Sequence, residues 1–596
     1  MILNLIVVAL VLSITAAWIF RGAFNSLIHL LCVLTAGAVA FGLWEPLSMM
    51  IVGFSPERGF FSFIEGLAWG VGLILPFVVT LIVLRVITDK VVKGNIKNWG
   101  MVDVIFGFLF GFQTAMITAG IFVIALGAMR LPSNFLGYQP LWYSEDRAAG
   151  QGALVRTDTL WIPVDRLVSM SYGGLSQGTL STSQPLAKWY PDLDIARFGN
   201  RISAGDGGAR NTYTDDAFRL TSAYTIGSID GSTPVEDLLK DKRDPIAQGY
   251  LDIDSKKIDE GYLAGFVVNF APNARERGKK GGQVMVSNGQ IRLVAQNKDG
   301  DTLAMHPVAT ISESIDGPDG RWRFDSNDVF INSVGGKTAV PMGFEFLVPA
   351  DYTPIGLSIK GVRINLEESS MKIAEISSVA DRDRRIRSGS LLKGDAPKAT
   401  FNMSDVKVVD GSANVVQGVL IGNSLRNMMS TTTAKSQGFT LDDNLLSEGQ
   451  GKFDVKAQLG RNNTPTDRRL RVDKFSLGKR QQMVQIDVSP DMPASLLDGA
   501  MRLTDTDKPI KLIDTKGGEY EAIGFVYQDE KIMEIRYTNG STLKGLTDMP
   551  SLSTSRIGDQ KLRILFIVTQ NVEIEYLVVG DDAILHFKPK MPTKRR

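Results

Sequence analysis

Residues that could carry out chemistry are few in this chain and lie far apart. The 596 residues include three histidines, His29, His306 and His586, and one cysteine, Cys32. A single cysteine excludes an intramolecular disulfide and any metal site built on several thiolates. The spacing of the histidines does not predict a local metal or catalytic cluster. We therefore expect no metal, no cofactor and no catalytic residues.

One serine matches the spacing of a known nucleophile. Residues 174–178 read Gly-Leu-Ser-Gln-Gly, the pattern that places a hydrolase serine on a sharp turn between a buried strand and a helix. Residues 165–172 predict only a short amphipathic turn before it, and a Ser/Thr/Gln tract follows it. The supporting elements are therefore missing from the pattern, and catalysis by Ser176 is not expected.

One polar loop is rich in carboxylates that could collect calcium. Its aspartates are Asp316, Asp319, Asp325 and Asp328. Their spacing departs from the calcium-binding loop of EF-hands, so solvated turns are the simpler interpretation.

The overall charge narrows the range of partners. The chain has 65 Lys and Arg against 64 Asp and Glu, a net charge of +1. A dedicated nucleic-acid binder needs a basic surface to bind phosphates, so we expect no nucleic-acid partner.

The apolar residues crowd into the first 130 positions. Four apolar stretches, at about 2–20, 23–44, 66–88 and 102–128, are each long enough to cross the ~30 Å hydrocarbon layer as a helix. The first has no basic residue before it, unlike a cleaved signal peptide, and we interpret it as retained. The sequence therefore predicts four transmembrane helices and a lipid bilayer as the first partner.

The flanking charges predict an orientation. The first and third connections share one side of the membrane and hold five basic residues: Arg21, Arg85, Lys90, Lys93 and Lys97. The other side holds two, Arg58 and Arg130. Basic residues favour the cytoplasmic side, so both termini are expected outside the cytoplasm.

Small and polar residues in these stretches are candidates for helix packing or function. Glycines four residues apart let helix backbones approach closely, and two pairs have this spacing: Gly66 with Gly70 and Gly107 with Gly111. Ionisable groups in lipid are costly and suggest function. The polar candidates are Arg21, His29, Glu65, Asp103 and Gln113. Gly22 follows Arg21 at the first helix connection and is a packing candidate. Both Arg21 and Asp103 lie at helix ends, where water can solvate them, whereas His29 lies deeper.

These positions form a pattern that resembles a known family. The pattern comprises Arg21-Gly22, Phe24, Leu27, Leu30-Leu31, the small residues Ala36, Gly37, Ala38 and Ala40, and then Asp103, Gly107 and Gly111. It resembles the CvpA family, the colicin V production proteins of bacterial inner membranes, over about the first 130 residues. The resemblance implies a bacterial cytoplasmic-membrane protein linked to colicin V production and envelope homeostasis. It brings no catalytic residues with it.

Some relatives in that family carry an extracytoplasmic trypsin-like protease domain. Their nucleophile lies in Gly-Asp-Ser-Gly-Gly, whereas residues 205–208 of this chain read Gly-Asp-Gly-Gly without the serine. The resemblance therefore does not extend to a protease.

The remainder of the chain predicts β structure. Short apolar strands with a period of two, separated by Asp/Gly turns, begin at about residue 258 and indicate sandwiches. The expected fold is multidomain: an α-helical membrane region of four transmembrane helices followed by all-β immunoglobulin-like sandwich domains. The expected domains are a membrane domain (1–130), a flexible linker with short helices (131–255), sandwich 1 (256–368), a charged linker (369–400), sandwich 2 with extra N-terminal strands (401–590) and a basic tail (591–596).

Two functions fit this layout. The first is a non-enzymatic inner-membrane protein that presents extracytoplasmic sandwiches to an envelope protein or polymer. The alternative is an oligomeric membrane channel or transport component gated by the sandwiches, based on His29 and the small-residue helix faces. A homo-oligomer through the membrane helices is compatible with either.

Overall fold

The structure is a computed structural model. The described residues are 2–55, 60–92, 100–144, 153–178, 185–201, 212–227, 233–239, 250–276, 283–314, 318–325, 329–332, 336–369, 372–393, 401–404, 406–412, 418–460, 464–478, 480–495, 507–538, 540–553 and 558–593. The sequence positions Arg58, Lys93, Lys97, 205–208, Asp316 and Asp328 lie outside this part of the chain.

Four long apolar helices form the N-terminal region. They are α1 (Ile2–Ile19), α2 (Ala23–Phe54), α3 (Ile64–Val91) and α4 (Gly100–Ala128). Helix α2 packs on α3 and α4, and α1 packs on α4. All four are long and apolar enough to cross a membrane. The predicted helical membrane region is confirmed.

The outer surface of this bundle is apolar. On α3, Leu75, Val79, Ile82 and Val83 are each about half exposed. Such a surface is unfavourable in water and suits contact with lipid chains. The bundle therefore has the outer surface expected of a membrane domain.

In the described residues that follow the bundle, the chain forms six further α-helices and many strands. The helices are α5 (Val164–Gln177), α6 (Leu186–Trp189), α7 (Val235–Leu239), α8 (Val379–Ser388), α9 (Ser390–Lys393) and α10 (Thr431–Ser436). The strands up to residue 376 are β1 (Leu141–Tyr143), β2 (Leu154–Arg156), β3 (Phe218–Ile226), β4 (Thr233–Pro234), β5 (Tyr250–Leu251), β6 (Lys257–Ile258), β7 (Glu260–Phe270), β8 (Met285–Ser287), β9 (Ile291–Gln296), β10 (Thr302–Met305), β11 (Ala309–Ser312), β12 (Gly320–Arg323), β13 (Val329–Ile331), β14 (Val340–Pro349), β15 (Thr353–Ile359), β16 (Val362–Asn365) and β17 (Ile373–Ile376). The later strands are β18 (Lys407–Val409), β19 (Val419–Ile421), β20 (Ser424–Ser430), β21 (Thr440–Asp442), β22 (Leu445–Asp454), β23 (Arg471–Lys474), β24 (Gln481–Asp487), β25 (Ile510–Asp514), β26 (Glu519–Gln528), β27 (Ile532–Tyr537), β28 (Lys561–Thr569), β29 (Glu573–Val579) and β30 (Asp582–Pro592).

The first β domain is a two-sheet sandwich. One sheet has the order β12-β11-β14-β7-β3-β17, and the other has the order β10-β9-β15-β16. Strand β7 sends Phe266 and Val268 toward the second sheet, where they meet Leu293 and Leu357 in one core. Alternate residues of a strand point to opposite faces, so this core uses one face of the larger sheet.

The other face of that sheet is also covered. Leu263 and Val267 of β7 pack against α7 and the α8–α9 segment. A strand that is buried on both faces reads as a continuous apolar run rather than a strict alternation, as Leu263–Phe270 does.

The second β domain is built on an eleven-stranded branched sheet. Strand β28 pairs with both β24 and β26 near its centre. Its residues Ile564 and Phe566 enter one core, and Leu565 and Ile567 enter another. Two sandwich-like β domains therefore follow the helices, and the immunoglobulin-like connectivity stays a prediction.

The domain boundaries differ from those expected. Strand β3 lies within the expected flexible linker 131–255, yet it pairs with β7 inside sandwich 1. In the same way, β17 and α8 lie in the expected charged linker 369–400, and β17 pairs with β3. Strand β30 continues to Pro592, into the expected tail 591–596. Strand β3 mixes Arg, Thr and Ser with its apolar residues, and three of the four residues of β17 are exposed. Neither shows the alternation that predicts a strand.

Candidate functional site

The membrane bundle and sandwich 1 share one hydrophobic core. Side chains from α2, α3 and α4 lie in the same buried cluster as residues from segment 186–196 and from β9 and β15. Members from the membrane side include Trp44, Trp69 and Ile124, and members from the other side include Trp189 and Val294. Because this core is continuous, the sandwich is docked on the bundle. We call this contact region the junction.

A partly buried charge cluster lies at the junction. Glu45, in the last third of α2, accepts hydrogen bonds from the hydroxyl of Tyr190 and from Arg363 Nη2 at 2.8 Å. Arg197 Nη2 is 3.3 Å from the same carboxylate, and the Arg197 side chain is only 4% exposed. Burial raises the pKa of Tyr190 well above its usual value, and the neighbouring Glu45 adds to this rise. Tyr190 is therefore a neutral donor at physiological pH.

Arg197 contacts three parts of the junction: α2, α3 and the turn between β15 and β16. Its Nη1 donates to the carbonyl of Gly361 at 2.7 Å, in the turn between β15 and β16. Its guanidinium lies 3.5 Å from the centre of the Trp69 ring on α3. Gly361 has φ of +90°, a conformation that favours glycine and that turns its carbonyl toward the arginine. A desolvated cation over an indole ring adds about 2 kcal/mol to such a contact.

The segment that carries Tyr190 and Arg197 is fixed to the sandwich. Arg292 on β9 forms a paired contact with the carboxylate of Asp192, with Nε 2.9 Å from Oδ2. The same guanidinium donates to the carbonyl of Trp189 at 3.2 Å. Paired Arg–carboxylate contacts hold geometry tightly, so this segment is a rigid connector between bundle and sandwich.

Helix α5 lies alongside the bundle. The hydroxyl of Tyr172 donates to the carbonyl of Leu34 in α2 at 3.1 Å. A Cβ added at Gly120 in α4 would lie 2.3 Å from the carbonyl oxygen of Val164, so α5 approaches there in backbone contact. The outward face of α5 exposes Leu167 and Met170.

A cavity of about 460 Å³ lies beside the charge cluster. It is open on one side and is lined by residues of α2, α5, α6 and β16. Phe41, Leu175 and Leu186 line an apolar part, whereas Glu45 and Arg363 line a polar part. An arrangement of this kind suits an amphiphilic ligand.

The predicted Arg21, Gly22 and Asp103 meet at the opposite end of the bundle. Gly22 has φ of +82° and precedes α2, and Asp103 Oδ1 accepts a hydrogen bond from the Ala23 amide at 3.3 Å. This carboxylate thus caps the start of α2 from another helix. Arg21 lies over the Trp18 ring at 4.6 Å.

His29 lies near this same end. Its ring stacks on Trp18, with centroids 3.9 Å apart. The His29 Nδ1 atom is buried and has no hydrogen-bond partner in the described part of the chain. Arg85 of α3 donates to Asn25 at 2.7 Å close by.

The four predicted packing glycines lie at helix contacts. An added Cβ at Gly107 would be 3.0 Å from the Ile19 carbonyl oxygen, and one at Gly111 would be 2.9 Å from the Trp18 Cβ, so both face α1. An added Cβ at Gly70 would be 2.7 Å from the Ala125 carbonyl oxygen, and Gly66 accepts a hydrogen bond from the Arg130 amide at 2.7 Å. The two pairs therefore lie where α4 meets α1 and α3.

Ser176 lies in a helix rather than on a strand-to-helix turn. Residues 164–177 form α5, not the short turn expected before this serine. Its hydroxyl donates to the Gly173 carbonyl at 2.8 Å and accepts from the Ala187 amide at 3.0 Å. The side chain thus links α5 to α6 and lacks the geometry of a nucleophile elbow.

The described part of the aspartate loop does not gather into a site. Asp325 is buried beside Arg323, and burial raises the pKa of Asp319 to about 6. Within the described ranges, no group of three or more His, Cys, Asp or Glu side chains could hold a metal ion.

Sequence reasoning missed the junction. Glu45, Arg197 and Arg363 are separated by 152 and 166 residues, and each alone reads as an ordinary surface charge. The one available signal is Glu45 itself, a carboxylate between Trp44 and Pro46 at the end of an apolar stretch. Comparison with known proteins adds no assignment, since no protein-family model, curated protein or solved structure matches this chain.

Proposed function

We propose that this chain is a non-enzymatic, CvpA-like protein of the bacterial inner membrane that holds its β domains outside the cytoplasm to bind an envelope protein or polymer. A role in colicin V production and envelope homeostasis belongs to the same proposal. The β domains act as a binding scaffold, and the bundle fixes their position relative to the membrane surface.

The docking of sandwich 1 on the bundle carries this proposal. Glu45, Arg197 and Arg363 connect α2 to the sandwich, and the apolar core continues from one to the other. A flexible tether would leave the sandwich free to tumble, whereas a docked sandwich presents its edges and loops at a defined height above the lipid. A scaffold for an envelope partner needs such fixed presentation.

The distribution of basic residues around the helices supports the proposed extracytoplasmic location of the β domains. The β domains lie on the side of the bundle that carries Glu45 and Arg130, opposite Arg21, Arg85 and Lys90. In the sequence, five basic residues flank the helices on the side of Arg21, Arg85 and Lys90, and two flank them on the side of the β domains. Because basic residues favour the cytoplasmic side, this difference supports a position of the β domains outside the cytoplasm.

Two observations support the family relationship. Arg21-Gly22 and Asp103, which carry the resemblance, come together at the start of α2. Gly107 and Gly111 lie against α1. The motif residues thus share one structural task, the close packing of α1, α2 and α4.

An edge strand provides the test position. Strand β12 is the terminal strand of its sheet, and Trp322 on it is 39% exposed. Edge strands and their exposed aromatics are common binding surfaces. A photo-reactive amino acid at position 322 of the full-length protein, activated in cells, is expected to give one saturable adduct with an envelope component.

The matched control carries the photo-reactive amino acid in place of Val91, which is exposed at the basic end of the bundle. The adduct is expected only from position 322. Identical adducts from both positions, or none from position 322, would contradict the proposal.

Transport is the alternative, and one observation favours it. The buried Nδ1 of His29 has no hydrogen-bond partner among the described residues, as expected for a group that contacts a passing solute or proton. If the helices conduct, His29→Ala changes proton or ion flux in reconstituted vesicles. The scaffold proposal predicts that wild-type and His29→Ala vesicles both match empty ones.

A further inference from the structure

We propose that the cavity at the junction binds one anionic phospholipid, with its phosphate at Arg363 and an acyl chain against Phe41 and Leu175. The volume of about 460 Å³ falls within the ~300–1,000 Å³ of pockets that enclose small ligands. This lipid site is separate from any partner surface on the β domains, so it goes beyond the proposed function.

The cavity lies at the level where lipid headgroups meet lipid chains. Helix α2 begins at Ala23, beside the charged Arg21 and Asp103 at one end of the bundle. At about 1.5 Å per residue, Ala38 lies about 22 Å and Pro46 about 35 Å from that start. The hydrocarbon layer is ~30 Å thick. The cavity lining therefore runs from the apolar layer into the headgroup region of the opposite leaflet.

The mouth of the cavity faces lipid. Gly42 lines the cavity and is exposed, and it lies on α2 between Val39 and Leu43, which are 38% and 48% exposed. These apolar side chains belong to the outer surface of the bundle. A lipid chain can therefore enter from the bilayer without crossing water.

The polar end of the cavity favours an anion. Two guanidinium groups lie against the Glu45 carboxylate at this end: Arg363 Nη2 at 2.8 Å and Arg197 Nη2 at 3.3 Å. Arginine is the side chain best suited to bind phosphate oxygens. A phosphate at this end of the cavity would accept hydrogen bonds from Arg363, whose side chain is 22% exposed.

A second observation at the same place indicates a missing acceptor. Trp189 lines the cavity and is 4% exposed, and its Nε1 donor is buried without a hydrogen-bond partner in the described part of the chain. Buried donors are rarely left unsatisfied, because this costs about 1–3 kcal/mol. A phosphate or ester oxygen of a lipid would supply that acceptor.

Two glycines of α2 offer a matched pair of variants. An added Cβ at Gly42 or at Gly53 would have no atom within 4 Å, so both positions have room for a larger side chain. Both are exposed, but only Gly42 lines the cavity. Gly42→Leu therefore fills the cavity, and Gly53→Leu makes the same change outside it.

The experiment measures lipid retained by full-length protein in neutral detergent. Each variant is mixed with phosphatidylglycerol or phosphatidylcholine of the same acyl chains, and bound lipid is counted by native mass spectrometry. Wild type and Gly53→Leu are expected to retain one phosphatidylglycerol, at least tenfold above phosphatidylcholine. Gly42→Leu is expected to lose at least tenfold of this retention, and Arg363→Gln to lose the preference between the two lipids.

Three outcomes would overturn the proposal. They are undiminished retention in Gly42→Leu, equal loss in Gly53→Leu, and equal retention of the two lipids by wild type. None of them bears on the envelope partner, which is tested separately at position 322.

Discussion

Replacing Glu45 with glutamine should loosen the junction without changing its shape. Glutamine keeps the size and one acceptor oxygen, but it removes the negative charge that faces Arg197 and Arg363 at 3.3 and 2.8 Å. Breaking a fully buried ion pair from one side costs ~3–5 kcal/mol, because the other charge stays buried and unpaired. The Glu45 side chain is 26% exposed, so solvent screening reduces the expected cost to about 2–3 kcal/mol.

Hydrogen exchange measures this cost locally. The amides of Ile195 and Ala196 donate to the Asp192 carbonyl at 2.9 and 2.7 Å, within the connector that carries Arg197. They exchange only when this segment opens. Since 1.4 kcal/mol is a factor of ten, Glu45→Gln should lower their protection about 30- to 150-fold.

The control is an exposed pair of the same type. Lys257 and Asp259 are 50% and 64% exposed and 2.7 Å apart, and such pairs contribute ~0–1 kcal/mol. Asp259→Asn should leave the protection of Ile195 and Ala196 unchanged. Unchanged protection in Glu45→Gln would refute the idea that the charge cluster holds the sandwich on the bundle.

Two further predictions concern packing and pH. Gly70→Ala should lower the unfolding temperature of the detergent-solubilised protein and its free energy of unfolding by about 1–3 kcal/mol, because the new methyl group would lie 2.7 Å from the Ala125 carbonyl oxygen. Gly53→Ala is the control, since its new methyl group has open space around it and should leave the unfolding temperature unchanged. Equal effects of the two substitutions would contradict the packing role of Gly70. Burial alone would raise the pKa of Glu345, but Arg321 and Arg382 lower it to about 2. A carboxylate with a lowered folded-state pKa stabilises above its unfolded pKa and loses that contribution as pH falls, so stability should decline from about pH 4.5 toward pH 2. Glu345→Gln should flatten this decline in a denaturation series, and an unchanged slope would contradict it.

The membrane region could be predicted because its signal is local. Four uninterrupted apolar stretches define the helices by length and composition alone, and the structure forms them. The glycine spacings likewise indicated close approach, although not which helices would meet. Spacing along one helix carries no information about its partner.

The junction could not be predicted because its signal is not local. Arg363 and Glu45 are 318 residues apart in the sequence, and only the tertiary fold brings them to 2.8 Å. Helix α5 was hidden for a different reason. Its Gly- and Ser-containing sequence is typical of a tether, and its buried face, which includes Val168 and Tyr172, becomes apparent only against α2 and α4.

Strand β3 shows the same difficulty within the sandwich. Its sequence reads as part of a linker, yet its pairing with β7 completes the larger sheet. A strand of mixed polarity gains stability mainly from its neighbours, and a single sequence does not reveal those neighbours.

The central claim is that four helices cross the membrane and that the β domains lie outside the cytoplasm, opposite the basic connections. The only cysteine, Cys32, is buried, so a Cys32→Ala chain accepts single reporter cysteines. Lys435→Cys lies in the second β domain and Lys90→Cys at the basic end of α3, and both positions are exposed. A membrane-impermeant maleimide should label Lys435→Cys in intact spheroplasts and Lys90→Cys only after permeabilisation. The reverse pattern, or labelling of both before permeabilisation, would contradict the account.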